Sequence, residues 1–144
     1  MSREAPLTRA AFRYTLDITT RWMDNDVYGH VNNVVYYSFF DTVVNRYLID
    51  SGVLDFVNGT VIGLVVETQC SYFKSLAYPD RVTAGVSAEH IGNSSVRYRV
   101  AVFRNGDDEA AAQGRFVHVY VERTTNRPVP LPAELRQALV KIGR

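Results

Sequence analysis

The sequence predicts an α+β domain in which an antiparallel five-stranded sheet wraps one long, mostly apolar helix. Three observations lead there. Residues 34–50, VVYYSFFDTVVNRYLID, confine their polar side chains to a narrow stripe of Ser38, Asp41, Thr42, Asn45 and Arg46. Four later segments alternate apolar and polar residues with the period of a half-buried strand. The breaks between them carry turn chemistry at Pro79-Asp80, Gly92-Asn93 and Asn105-Gly106.

The elements follow in order. Residues 12–20, FRYTLDITT, alternate and hold β-branched residues, so they read as the first strand. A polar loop over 21–33 follows. The helix over 34–50 is capped by Asn32 or Asn33 and ended by Gly52. Val34, Val35, Val43 and Val44 lower its local propensity, so burial has to hold it. Residues 61–73, 81–91, 95–104 and 110–122 are the remaining strands, joined as consecutive hairpins and therefore antiparallel. Arg97 and Arg99 share one face of their strand. Pro132 starts a short amphipathic tail helix. No repeat, low-complexity segment or domain boundary is visible, so a single domain spans 1–144.

Composition excludes several classes. A chain of 144 residues buries roughly 68–70% of its unfolded surface, enough for a core without staples. One cysteine, Cys70, rules out an intramolecular disulfide and any multi-cysteine zinc site. A net charge of +1 leaves no polyanion footprint, so nucleic acid is not an expected partner. No apolar run approaches a membrane span. The N-terminus, MSREAPLTRAAFRY, lacks the apolar centre of a secretory leader, so a cytoplasmic protein is expected.

Chemistry concentrates in RWMDNDVYGHVNNVVYYSFFD, Arg21 to Asp41. A polar loop with two carboxylates, Asp24 and Asp26, runs into the start of a buried helix. Backbone N–H groups there are unpaired and carry partial positive charge. Asp24, Asp26 and Gly29 fit three positions of a calcium loop, but Tyr28 and Val35 stand where ligands are needed. A transition metal on Asp24, Asp26 and His30 lacks a recognised ligand spacing, so no metal is expected. A plainer reading has Asp26 and Asn32 only satisfying loop backbone and capping the helix. Elsewhere no nucleophile elbow, dinucleotide fingerprint or phosphate loop occurs. Cys70, His90 and His118 sit within strands and read as packed residues.

The run D-x-D-x-x-G-H-V-N-N, followed by an aromatic-rich helix, resembles the 4-hydroxybenzoyl-CoA thioesterase family of hotdog-fold proteins. Tyr72-Phe73-Lys74-Ser75-Leu76, Asp80, Ile91-Gly92 with Ser94-Ser95, and the tail Arg127 to Pro132 extend the resemblance along the chain. It implies a hotdog fold and hydrolysis of an acyl thioester. Asp26 then matches the catalytic carboxylate, as base or nucleophile. Asn33 matches the position whose backbone N–H polarises the carbonyl. Gly29, His30, Asn32 and Tyr36 would shape the acyl site, with Asp24 secondary and Asp41 structural. Lys74, Ser75 and Arg97 are the candidates for coenzyme A contacts, from charge and position. The partners implied are an acyl-CoA or an acyl carrier protein thioester, and further copies of the chain in a dimer or tetramer. No cofactor is implied, since coenzyme A belongs to the substrate. A non-hydrolytic acyl-thioester binding protein and a hotdog hydratase or dehydratase using His30 remain the alternatives.

The resemblance and the residues agree on the chemistry. A thioester oxygen gains charge as it is attacked, and N–H groups at a helix start stabilise that charge. A carboxylate can activate water or attack directly. Thiolate leaves readily, so no strong general acid is demanded.

Overall fold

The two sequence periods sort the chain into a sheet and two helices. A computed structural model describes residues 4–143; the N-terminal leader reading rests partly on residues 1–3, outside that range. The strands are Tyr14–Thr19 (β1), Val61–Tyr72 (β2), Arg81–Ile91 (β3), Ser95–Arg104 (β4) and Ala112–Glu122 (β5). The helices are Asn33–Asp50 (α1) and Ala133–Lys141 (α2). The strands form one antiparallel sheet in the order β1-β3-β4-β5-β2. α1 packs mainly over β3, β4 and β1, and the sheet wraps it in the expected hotdog arrangement.

Burial holds α1, as its β-branched residues require. Phe40, Val43 and Val44 are fully buried, each contributing about 1.5–3 kcal/mol. Ser38, Asp41, Thr42 and Arg46 are exposed on the opposite stripe. Asn32 caps the start, its side-chain oxygen accepting from the Val34 N–H at 2.9 Å. Gly52 closes the far end with φ +72°, where a side chain is strained.

Three elements differ from the sequence reading. β1 starts at Tyr14 because Phe12 turns to the other face of the sheet. There it packs edge-on against Phe103 at 6.0 Å and fills the space over Gly85, where a Cβ would lie 2.6 Å from its ring. β5 starts at Ala112, since Ala110 and Ala111 bond to Leu7 and Val102 instead of β2. β2 is not the hairpin partner of β3. β1 already occupies that edge of β3, and β2 pairs with β5 at the far side of the sheet. There it lies beyond the main footprint of α1. Leu64 to Gln69 are consequently exposed, and a bulge between Val65 and Glu67 interrupts the alternation.

Candidate active site

The loop before α1 folds on its own backbone. The Asp26 N–H donates to the His30 carbonyl at 2.9 Å, and the Gly29 N–H donates to the Asp26 carbonyl at 3.0 Å. Gly29 makes this turn with φ +80°. The Asn32 N–H donates to the Asp24 carbonyl, tying the loop to its start.

The two loop acids diverge. Asp24 is buried and accepts from its neighbours: the Arg21 N–H reaches Oδ2 at 2.7 Å, and the Arg21 guanidinium reaches Oδ1 at 2.9 Å. It closes the short 3-10 helix Trp22–Asp24. Asp26 is half-buried. Its Oδ1 accepts from the Tyr28 N–H at 2.9 Å, and the Asn32 side-chain amide lies 3.5 Å from Oδ2.

The start of α1 leaves one donor over. The Val34 N–H goes to the Asn32 side chain and the Val35 N–H to the Asn32 carbonyl. The Asn33 N–H has no partner among the described residues. Together with the helix dipole it offers positive charge to an oxygen in front of it.

The end of β2 closes the other wall. The Val31 N–H donates to the Leu76 carbonyl at 2.7 Å, the Leu76 N–H donates to the Tyr36 hydroxyl at 3.2 Å, and the Tyr72 hydroxyl donates to the Asn33 carbonyl at 3.3 Å. Tyr36 and Tyr72 meet edge to face at 5.0 Å. Burial raises the Tyr72 hydroxyl pKa, with Cys70 adding to the rise. Burial pushes the Cys70 thiol up to about 11, so it is a protonated packing residue.

These elements enclose a cleft of about 430 Å³. Of the residues singled out from the sequence, it brings together Asp26, His30, Asn33, Tyr36, Lys74 and Ser75. Gly29 and Asn32 line an adjoining open face of the loop with Trp22 and Val27. Arg97 lies elsewhere. Its neighbour Tyr98 points into the core, so Arg97 faces the opposite side of the sheet, 3.7 Å from Glu89. Sequence reasoning missed Tyr28, Tyr72 and Phe73 as lining residues. The available signal was contiguity, since Tyr72 and Phe73 directly precede Lys74 and Ser75. Among the described residues, no three His, Cys, Asp or Glu side chains converge to hold a metal.

Comparison with known proteins gives this geometry a setting. The PA5185 protein of Pseudomonas aeruginosa is 53% identical, and its crystal structure superposes with a TM-score of 0.93 over 96% of each chain. A Thermus thermophilus thioesterase solved with coenzyme A and Zn is 30% identical, with a TM-score of 0.77 over 92% of this chain and 95% of that one. YsmA of Bacillus subtilis, an uncharacterized protein, is 22% identical over 132 residues, covering 92% of this chain and 88% of its own. The profile of the Thioesterase-like superfamily matches residues 20–139. With that match over most of its length, this chain belongs to the Thioesterase-like superfamily.

Proposed function

We propose that this protein is an acyl-CoA thioesterase of the 4-hydroxybenzoyl-CoA thioesterase-like kind, acting as a single domain over residues 1–144 in the cytoplasm. The observation that carries the reading is that Asp26 and Asn33, whose N–H is unpartnered among the described residues, line one cleft. The thioester carbonyl oxygen sits before the Asn33 N–H. Asp26 takes a proton from water as it attacks, or attacks the carbonyl itself and is freed by water. Either route breaks the carbon–sulfur bond and yields a free acid and a thiol. His30, Tyr36 and the loop residues Gly29 and Asn32 shape the acyl end, while Lys74 and Ser75 at the cleft wall meet the coenzyme A or carrier-protein arm.

The reading includes a homo-oligomer, a dimer or a tetramer of dimers. Trp22, Met23, Val27 and Tyr28 are exposed beside Asp26, and Leu64, Val65 and Val66 are exposed on the open edge strand β2. Apolar patches and unpaired edges of this kind suit a second chain. A monomer by light scattering would remove this part.

The main test is thiol release from a panel of acyl-CoAs. Wild-type protein is expected to turn over at least one, and Asp26→Asn to lose about 100-fold or more, in the range of a positioned acid–base group. Near-normal hydrolysis by Asp26→Asn would overturn the assignment. Tight binding with no thiol release by wild type would make the protein a binder instead.

A further inference from the structure

Among the described residues lining the cleft, Lys74 is the single Lys or Arg, and its charge is already engaged. The Lys74 ammonium donates to Oδ2 of Asp107 at 3.3 Å. Asp107 stands on the turn between β4 and β5 and does not itself line the cleft. The one basic side chain of the cleft wall is thus neutralised from beside the site and not from within it.

The backbone is fixed under both partners. The Phe73 and Lys74 N–H groups donate to the Ala111 carbonyl at 2.8 Å and 3.0 Å, which ties the cleft wall to the strand end beside it. The Asp107 N–H donates to the Arg104 carbonyl at 2.9 Å, closing the turn. The Arg9 guanidinium then donates to the Asp107 and Asn105 carbonyls, each at 2.7 Å, while lying 5.0 Å from the centre of the Phe103 ring. What remains to move is the flexible four-carbon stem of Lys74.

The pair is weak enough to exchange. The Lys74 side chain is 40% exposed and that of Asp107 44%. An ion pair so open to water shifts its own equilibrium by no more than about fivefold. Water takes up the Asp107 carboxylate when the ammonium leaves. A phosphate monoester carries about −1.5 to −2 charge at neutral pH and three acceptor oxygens, against a single charge on a carboxylate. An arm bearing phosphate therefore competes with Asp107 for Lys74 from the stronger side, whereas a neutral arm does not compete. We propose that Asp107 is a positioning residue for the arm of the thioester: it holds Lys74 beside the cleft in the free protein and yields it to a phosphate of the arm on binding, an inference that rests on the thioester reading for the arm and on no catalytic step.

Titration calorimetry on the full chain tests the exchange with coenzyme A and with pantetheine, the same arm without phosphate. Asp107→Asn is expected to tighten coenzyme A binding by about threefold to fivefold, the strength of the pair it gives up, and to bring no gain for pantetheine. The gain is expected to shrink when Lys74→Met is added, since the two residues act as one unit. A loss of stability alone would not separate the two ligands in this way. If Asp107→Asn does not fold, Lys74→Met decides alone, and it should weaken coenzyme A more than pantetheine. Equal affinity of wild type and Asp107→Asn for coenzyme A, a full gain with Lys74 absent, equal losses of both ligands in Lys74→Met, or no coenzyme A binding at all would overturn the proposal. Phosphopantetheine locates the phosphate: the same gain as with coenzyme A puts it on the part of the arm a carrier protein also presents, and a gain with coenzyme A only puts it at the nucleotide end. Thiol release from the acyl-CoA panel is read separately, so turnover without the Asp107 effect sinks the exchange alone, and the Asp107 effect without turnover sinks hydrolysis alone.

Discussion

Asp24 and Asp26 stand two positions apart and are held differently: Asp24 is 2% exposed and closed in by Arg21, whereas Asp26 is half-buried and lines the cleft. Replacing them should therefore give different losses. Asp24→Ala removes the acceptor of the Arg21 N–H and should cost about 1–3 kcal/mol of stability, read by urea unfolding. Asp26→Asn should unfold at nearly the wild-type urea concentration while losing turnover. Two variants with matching stability losses would contradict the division of roles.

Asn32 links the helix cap to the site, since its side chain reaches both the Val34 N–H and the Asp26 carboxylate. Asn32→Ala should cost about 1 kcal/mol of stability, the usual worth of a cap, and should lower kcat as the helix start loosens. Asn32→Asp, which keeps the cap acceptor but sets a like charge beside Asp26, should recover stability and not turnover. Thermal melts and thiol-release rates on the two variants separate the effects.

His118 predicts an acid limb in the stability profile. Its pKa falls from the ordinary imidazole value of 6.5 to about 4 in the fold, so the unfolded chain binds the extra proton first. Stability is then full above about 6.5 and declines as pH falls toward 4. His118→Phe should flatten the curve across that window. An unchanged slope between pH 6.5 and 4 would show that the ring does not stay neutral there.

Glu89 predicts a second, lower limb. Hydrogen bonds from Arg115, with the charges of Arg99 and Arg97, hold its carboxyl below the usual carboxylate range. A depressed pKa supplies stability above the unfolded value near 4.5 and loses it as pH falls through the folded value. Glu89→Gln should start about 1.5–3 kcal/mol less stable at neutral pH, the range for a part-buried hydrogen bond to a charged group, and should lose less on acidification. Denaturant melts at pH 7 and pH 3 measure both parts.

Local signals carried much of the fold. β3 and β4 have the bounds that alternation and the Gly92-Asn93 break give them, and Pro132 stands at the start of α2 as read. The place of β2 was not legible, because pairing with β5 depends on β1 claiming the other edge of β3, and no local pattern encodes that competition. The loop motif pointed to Asp26 and Asn33, which line the same cleft and lie only a few residues apart in the chain. Tyr72 arrives from 39 positions away through its bond to the Asn33 carbonyl, so spacing within the motif could not reveal it. Arg97 was nominated by charge, while the parity of its strand, with Tyr98 inward, already sends it to the far face.

The unpartnered donor at the start of α1 belongs to the peptide unit and not to the asparagine. Nineteen of the twenty residues encoded at position 33 carry that hydrogen, so nearly every codon change there leaves it untouched. Proline is the exception, and this position tolerates it: Pro suits the first residue of a helix, and Asn32 already has φ −60° and ψ 139°, the extended conformation that precedes proline. Asn33→Pro deletes that hydrogen together with an exposed side chain; in the proposed reaction it is expected to cost about 2.7–4 kcal/mol of transition-state stabilisation with α1 intact, while Asn33→Ala, which keeps the hydrogen, is expected to retain turnover. The group proposed to polarise the carbonyl is in this sense genetically silent, and one substitution makes it visible.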